Sequence, residues 1–258
     1  MAQAVAVGRR GWFATLRRDR WWVEPLFVLI GLSAFGIYST VSAVFWDFDF
    51  EVGPYLSPFY EPLLDFGWWP FSPAILILWA PLGFRITCYY YRGAYYRAFF
   101  FNPPACAVTG SETKGYRGEA KFPFILQNFH RFFLYVALIF NVILWYGAIR
   151  SYWWEGDVGI GLGSVMLTVN AFLLMMYSFS CHSLRHLVGG NLDCFSCTAW
   201  TRTRKRLWDR VTIWNEHHRL WAWMSLVWVG LTDLYIRLVA SDTITDPNTW
   251  TAALRTIH

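Results

Sequence analysis

The sequence predicts an all-α integral membrane protein, a bundle of five transmembrane helices with a cytoplasmic N-terminus and an external C-terminus. Three observations support this prediction. First, 56% of the 258 residues are hydrophobic and 15% are charged, whereas soluble domains carry about 25% charged residues. Second, five segments have the length and apolar character needed to cross a bilayer, which takes roughly 20 residues. Third, basic residues gather in alternate connections between those segments.

Each predicted span ends in or near aromatic residues. Tryptophan and tyrosine are enriched at membrane interfaces, and pairs such as Trp68 and Trp69 mark the segment ends here. Near the outer end of the last span, Asp233 and Arg237 lie four residues apart and are expected to form a local ion pair. The prediction is a cytoplasmic segment over residues 1–24, a transmembrane domain over 25–240 with spans at 25–46, 71–91, 124–149, 160–187 and 214–240, and an external tail over 241–258.

Charge in the connections sets the predicted orientation. The N-terminal segment and the connections after spans two and four are rich in Arg and Lys, while the connection after span one has five acidic residues and no Lys or Arg. Because basic loops stay on the cytoplasmic side, the three basic segments should face the cytoplasm. Contact with anionic membrane lipid then explains the net charge of +5, and no nucleic-acid partner is expected.

Potential metal ligands concentrate at this cytoplasmic end, which holds every cysteine and every histidine except His258. Imidazole and thiolate are the ligands of iron in haem and iron–sulfur sites, and ionisable groups at membrane depth usually serve function because they are costly there. His182 and His186 are also spaced to share one helical face. The candidate metal ligands are Cys88, Cys106, Cys181, His130, His182, His186 and His218.

The residues alone leave the kind of centre open. A single b-type haem fits the histidines, and a Rieske-type [2Fe–2S] cluster, with two Cys on one iron and two His on the other, fits the combined inventory. A stand-alone membrane di-iron oxidation enzyme would need more histidines than the five at the cytoplasmic end. A structural membrane subunit without a cofactor is the remaining alternative. An odd number of cysteines argues against a disulfide framework, and Cys194 and Cys197 are expected to be small packing residues.

Five motifs together resemble those of one known family. Over residues 18–240 the chain is similar to the five-helix membrane anchor of mycobacterial-type succinate dehydrogenase. The motifs are CYYYR-x-AYYR (88–97), PPACAV (103–108), FPFILQNFHRFF (122–133), SCHSLRHLVGG (180–190) and N-x-x-H-x-x-x-AW (215–223).

This resemblance implies an anchor subunit of respiratory complex II in the bacterial inner membrane, which does not itself act on succinate. A flavoprotein subunit and an iron–sulfur subunit would dock on its cytoplasmic face, and a higher oligomer of the complex is compatible with this. The resemblance also implies a Rieske-type cluster near that face, held by about four of the candidates, which passes electrons to quinone. The residues expected to bind quinone are Tyr89, Arg131, Arg185 and His217.

Overall fold

The structure is a computed structural model, and it has the all-α membrane architecture that composition predicts. It describes residues 11–46, 48–111, 120–122, 124–251 and 254, so parts of the predicted N-terminal segment, of the second basic connection and of the external tail lie outside the described residues. The described helices are α1 (Val23–Thr40), α2 (Ala74–Thr87), α3 (Tyr89–Phe99), α4 (His130–Arg150), α5 (Leu162–Phe179), α6 (His182–Gly189), α7 (Ala199–Glu216) and α8 (His218–Ala240). A π-helical turn, Val41–Phe45, extends α1, and a 3-10 helix, Phe124–Phe129, precedes α4.

Two small antiparallel hairpins lie in the connections predicted to be external. Their strands are β1 (Glu51–Val52) with β2 (Tyr55–Leu56), and β3 (Trp153–Trp154) with β4 (Asp157–Val158). The turns use Gly53 and Gly156 at φ values of 54° and 90°, a left-handed conformation that glycine adopts at little steric cost. The first hairpin also contributes Val52 and Tyr55 to the buried core around α4, α5 and α8.

In the described part of the chain, four helices are long and apolar enough to span a membrane, and α2 with α3 makes a fifth span if the two count as one. These two helices meet at an angle of 76°, so the span predicted over 71–91 is not one straight helix. The break lies at Cys88, whose backbone is extended (φ −61°, ψ 132°). Arg92 and Arg97 then favour a position of α3 at the membrane surface.

Two other predicted spans are also shorter than expected at the basic end of the bundle. The segment 160–187 is not continuous, because Cys181 adopts an extended backbone (ψ 137°) between α5 and α6. The segment 214–240 is interrupted at its start, since α8 begins at His218 and the residues before it belong to the polar helix α7. Helix α7 packs on α6, where the Arg204 side chain donates hydrogen bonds of 2.7 Å to two backbone carbonyls at the end of α6.

The predicted ion pair between Asp233 and Arg237 is confirmed, with an N–O distance of 3.1 Å and both side chains 0% exposed. Asp233 accepts hydrogen bonds of 2.6 Å from the hydroxyls of Tyr38 and Ser42, and another from the hydroxyl of Ser57. Arg237 donates to three backbone carbonyls in and after the π-helical turn. The pair therefore fastens α8 to the end of α1 and to the first outer loop.

A second buried carboxyl of the outer loops, Glu61, lacks such partners. Glu61 is 6% exposed, and a Cβ placed on Gly147 of α4 would clash with its Oε1 atom. Within the described ranges, neither a hydrogen bond nor an ion pair holds this carboxyl group. Burial raises the pKa of Glu61 from 4.5 to about 8, because desolvation disfavours the charged form.

Candidate metal centre and adjoining cavity

Two cysteines occupy matching positions at breaks between helices. Cys88 lies between α2 and α3, and Cys181 lies between α5 and α6. Their backbone conformations are nearly the same, with φ −61° and ψ 132° at Cys88 and φ −66° and ψ 137° at Cys181. Both residues are 1% exposed and belong to one apolar cluster. The two helix breaks therefore bring both thiols into the same buried region.

Two histidines begin the helices that face these breaks. His130 is the first residue of α4 and His218 is the first residue of α8. The Nε2 atom of His130 lies 3.1 Å from the Sγ atom of Cys181, and the Nε2 atom of His218 lies 3.3 Å from the Sγ atom of Cys88. We call these the two Cys–His pairs. Each pair joins residues that are distant in sequence, so it depends on the tertiary fold.

The other ring nitrogen of each histidine contacts a hydroxyl group. His130 Nδ1 lies 2.9 Å from Thr87 Oγ1, and His218 Nδ1 lies 2.7 Å from Ser180 Oγ. Each hydroxyl belongs to the residue directly before one of the two cysteines. Both nitrogens of both imidazoles therefore have a defined neighbour.

Aromatic rings connect the two Cys–His pairs. Phe84 stacks on His130 with 4.8 Å between ring centroids, and Tyr177 stacks on His218 with 5.2 Å between centroids. Phe84 and Tyr177 meet each other edge to face at 5.3 Å. The guanidinium group of Arg85 lies 4.7 Å from the centroid of the Tyr177 ring. This packing fixes the plane of each imidazole and lowers the local dielectric, which strengthens the interactions of any charge placed there.

A cavity of about 400 Å³ adjoins these rings, among α1, α2, α4, α5 and α8. Its lining is largely apolar and includes Phe84 and Tyr177, and Arg85 and Asn141 add polar groups. Among the described residues, the Asn141 Nδ2 atom is buried without a hydrogen-bond partner. A few polar groups in an apolar, concave site are typical of small-molecule binding.

The comparisons with known proteins agree with this architecture. A family described as actinobacterial succinate dehydrogenase subunit SdhC matches residues 23–242. The chain belongs to the actinobacterial SdhC family. A solved structure, the Mycobacterium smegmatis Sdh1 complex in the apo form, contains a chain with 40% sequence identity and a TM-score of 0.80, and the match covers 100% of both chains. No curated protein sequence matches. The chain is thus a membrane anchor subunit of succinate dehydrogenase, complex II.

In this SdhC-family chain, four of the seven predicted ligands form the two Cys–His pairs. The other three make no side-chain hydrogen bond to these pairs within the described residues. Cys106 is exposed in the loop after α3, where Arg17 donates a hydrogen bond of 2.9 Å to its carbonyl oxygen. His182 and His186 are on α6, and their Nε2 atoms lie 3.0 Å from each other at the surface.

The two remaining cysteines behave differently from the prediction. Cys194 is half-buried and Cys197 is exposed in the connection between α6 and α7, and a disulfide bond joins them. The expectation that they fill packing positions is wrong, because this connection lies on the surface and has no core to fill.

The four residues predicted to bind quinone are spread over the basic end of the SdhC bundle. Tyr89 is 69% exposed. Arg185 donates a hydrogen bond of 2.9 Å to a side chain of α7, and His217 contacts a backbone carbonyl of α7 at 3.3 Å. Arg131 lines a cleft of about 230 Å³ beside α6.

Sequence reasoning missed the residues that surround the Cys–His pairs. The signal that would have found them is a five-residue pattern. It consists of an aromatic residue, any two residues, a residue with a hydroxyl group, and cysteine. It occurs as FRITC at residues 84–88 and as YSFSC at residues 177–181. In each copy the aromatic residue stacks on the histidine that the hydroxyl residue contacts.

Proposed function

We propose that this anchor carries electrons from a docked iron–sulfur subunit to quinone, by way of a Rieske-type [2Fe–2S] cluster. Its ligands would be Cys88, Cys181, His130 and His218. The observation that carries the proposal is the presence of two buried Cys–His contacts, at 3.1 and 3.3 Å, whose thiols belong to one apolar cluster. A bound [2Fe–2S] cluster would take up and release one electron at a time.

The donor set favours a Rieske-type cluster over a b-type haem. A Rieske-type cluster takes two thiolates and two imidazoles, which is the set collected here. A haem would need its two axial imidazoles to approach a wide macrocycle from opposite faces. Here the Nε2 atom of each imidazole lies against a thiol, and aromatic rings stack on the imidazoles at 4.8 and 5.2 Å.

The arrangement also favours a two-metal centre over a single ion. In the described part of the chain, no group of three or more His, Cys, Asp or Glu side chains is arranged to hold one metal ion. A Rieske-type cluster takes four protein donors, and here Cys88 and Cys181 would supply the two thiolates and His130 and His218 the two imidazoles. Buried thiolates without a partner would be costly, and ferric ions would compensate their charge.

We infer that quinone occupies the cavity of about 400 Å³. Its apolar walls suit an isoprenoid-substituted ring, and Arg85 offers a donor for a carbonyl oxygen. The Asn141 Nδ2 atom has no hydrogen-bond partner among the described residues, and a quinone oxygen would supply one. Tyr177 stacks on His218, so a quinone in this cavity would lie one side chain away from a ligand of the proposed centre.

The basic end of the bundle is the face on which we infer that the flavoprotein and iron–sulfur subunits dock. The Cys–His pairs lie at this end, so an electron donor bound there would have the shortest path to them. By the positive-inside rule this face is cytoplasmic, and the membrane would be the inner membrane of a bacterium. Oxidation of succinate itself then belongs to the flavoprotein. The basic residues of α7 on this face are Arg202, Arg204, Lys205, Arg206 and Arg210.

Electron paramagnetic resonance (EPR) spectroscopy of the purified, reduced complex tests the proposal. We expect a signal of low average g, as Rieske-type centres give, together with a flavoprotein that co-purifies with this chain. A b-haem absorption band without that EPR signal would contradict the cluster. Purification of the chain without a flavoprotein would instead favour a stand-alone enzyme.

A further inference from the structure

The hydroxyl groups of Thr87 and Ser180 determine which nitrogen of each imidazole is free to bind metal. Each hydroxyl has one hydrogen to donate and can accept through its lone pairs, whereas a neutral imidazole donates from one nitrogen and accepts at the other. The direction of each hydroxyl–imidazole contact therefore fixes the tautomer of the histidine.

At His130 the direction follows from the other contact of Thr87. The Thr87 hydroxyl donates to the backbone carbonyl of Gly83 at 2.7 Å. Its single hydrogen is then used, so at the contact of 2.9 Å the Oγ1 atom accepts and His130 Nδ1 must carry the hydrogen. The Nε2 atom is left with a free lone pair, 3.1 Å from the Sγ atom of Cys181.

The single hydrogen of a hydroxyl group also decides the direction of the contact at His218. The Ser180 hydroxyl donates to the backbone carbonyl of Tyr177 at 3.2 Å, so at 2.7 Å it accepts from His218 Nδ1. The free lone pair again lies on Nε2, which points to the Sγ atom of Cys88 at 3.3 Å. Two independent sites in the fold therefore reach the same tautomer by the same arrangement.

We propose that Thr87 and Ser180 are positioning residues, which hold His130 and His218 as Nδ1–H tautomers so that both bind the metal centre through Nε2. The inference rests on the proposed cluster, and it adds residues and a coordination mode to it. Metal-bound histidines generally donate their second ring nitrogen to a fixed acceptor, which orients the ring and raises its basicity. Here the acceptor is the side-chain hydroxyl of the residue directly before each cysteine.

This arrangement has a consequence for quinone chemistry. The N–H group of each imidazole points to a hydroxyl, and neither histidine is among the residues that line the cavity of about 400 Å³. Phe84 and Tyr177 stand between the imidazoles and that cavity. The two histidines therefore act in electron transfer without presenting an N–H group to quinone.

A purely structural role for the hydroxyls is the competing explanation, because Thr and Ser in membrane helices often donate to a carbonyl one turn earlier. Thr232 in α8 does so, donating to Trp228 at 2.9 Å, and it contacts no imidazole. Thr232→Val is therefore the matched control. It removes the same kind of helix hydrogen bond and leaves the metal centre untouched.

The first test needs no substitution. The intact complex is prepared with histidine carrying ¹⁵N at either Nδ1 or Nε2, and the nitrogen couplings of the reduced Rieske-type signal are measured by pulsed EPR. We expect the strong coupling of directly bound nitrogen to follow the Nε2 label. If it follows the Nδ1 label, the inference is wrong while the cluster stands. A complex that gives no Rieske-type signal overturns the proposed function and this inference with it.

The second test compares Thr87→Val and Ser180→Ala with the conservative variants Thr87→Ser and Ser180→Thr. Loss of such supporting residues typically weakens metal binding roughly 10- to 100-fold. We therefore expect the first two variants to lose iron to a chelator at least about 10-fold faster and to shift the midpoint potential of the signal. The conservative variants and Thr232→Val should resemble the wild type. Equal iron retention and potential in all five variants would refute the positioning role.

Discussion

Replacing Asp233 by Asn should destabilise the anchor far more than the same change at an exposed ion pair. Asp233 is fully buried, and its carboxylate holds the Arg237 guanidinium and three hydroxyls. Breaking a buried ion pair by removing one partner costs about 3–5 kcal/mol, since the other charge is left uncompensated. Asparagine keeps one acceptor oxygen, so at least one of the hydroxyls also loses its hydrogen bond. That loss costs about 1 kcal/mol of stability. We expect a total near 5 kcal/mol.

The matched control is Asp209→Asn. Asp209 pairs with Lys205 in α7 at the same i, i+4 spacing, but these side chains are 50% and 37% exposed. Exposed pairs of this kind contribute about 0.5 kcal/mol or less. The assay is reversible unfolding of the purified anchor in mixed micelles with increasing denaturing detergent. Similar losses of unfolding free energy in Asp233→Asn and Asp209→Asn would refute the reasoning. The reasoning would also be refuted if the double variant Asp233→Leu/Arg237→Leu were less stable than Asp233→Asn.

Three further predictions follow from the described residues. The pKa of Glu61 is about 8 in the fold against 4.5 normally, so the folded state binds this proton more tightly than the unfolded state does. Thermal stability should therefore fall as the pH rises from about 4.5 to about 8. Glu61→Gln should flatten this dependence of stability on pH. Cys181→Ala should abolish quinone reduction while succinate oxidation by an artificial acceptor continues, whereas His186→Ala should keep both activities. Ala137→Trp should narrow the cavity and raise the KM for quinone at least several-fold, with the artificial-acceptor assay unchanged.

Each of these predictions has an outcome that counts against it. An unaltered pH profile in Glu61→Gln would mean that this carboxyl is ionised in the fold. Full quinone reductase activity in Cys181→Ala would remove that thiol from the proposed centre. An unchanged KM in Ala137→Trp would show that quinone binds elsewhere, and the cleft beside Arg131 would then be the next site to test.

Hydropathy and charge were sufficient to predict the membrane bundle and the end at which Cys and His collect. Both signals are averages over long segments, which is why they succeeded for α1, α4, α5 and α8. They failed at Cys88 and Cys181, where a single residue with an extended backbone ends a helix. A window of about 20 residues cannot detect a change of one ψ angle.

The sequence could not show which candidate Cys and His residues contact one another, because side-chain type does not report contact. His182 and His130 lie on the same side of the predicted membrane, but His130 starts α4 facing a buried thiol while His182 lies at the surface of α6. Cys106 shares the predicted side as well, and its loop packs against the N-terminal segment instead. The repeated pattern that ends in Cys88 and Cys181 was the available clue, and its meaning depends on which histidine each copy meets.

Iron content most directly tests the claim that the two Cys–His pairs hold a cluster of two irons. The measurement compares the wild-type complex with a His130→Ala/His218→Ala double variant and with a His182→Ala/His186→Ala double variant, each normalised to the flavin of the co-purified flavoprotein. We predict that the first variant loses two iron atoms per anchor chain together with the signal of low average g. The second variant should keep the wild-type iron content. Equal iron in all three complexes, or loss of iron in the second variant alone, would contradict the assignment.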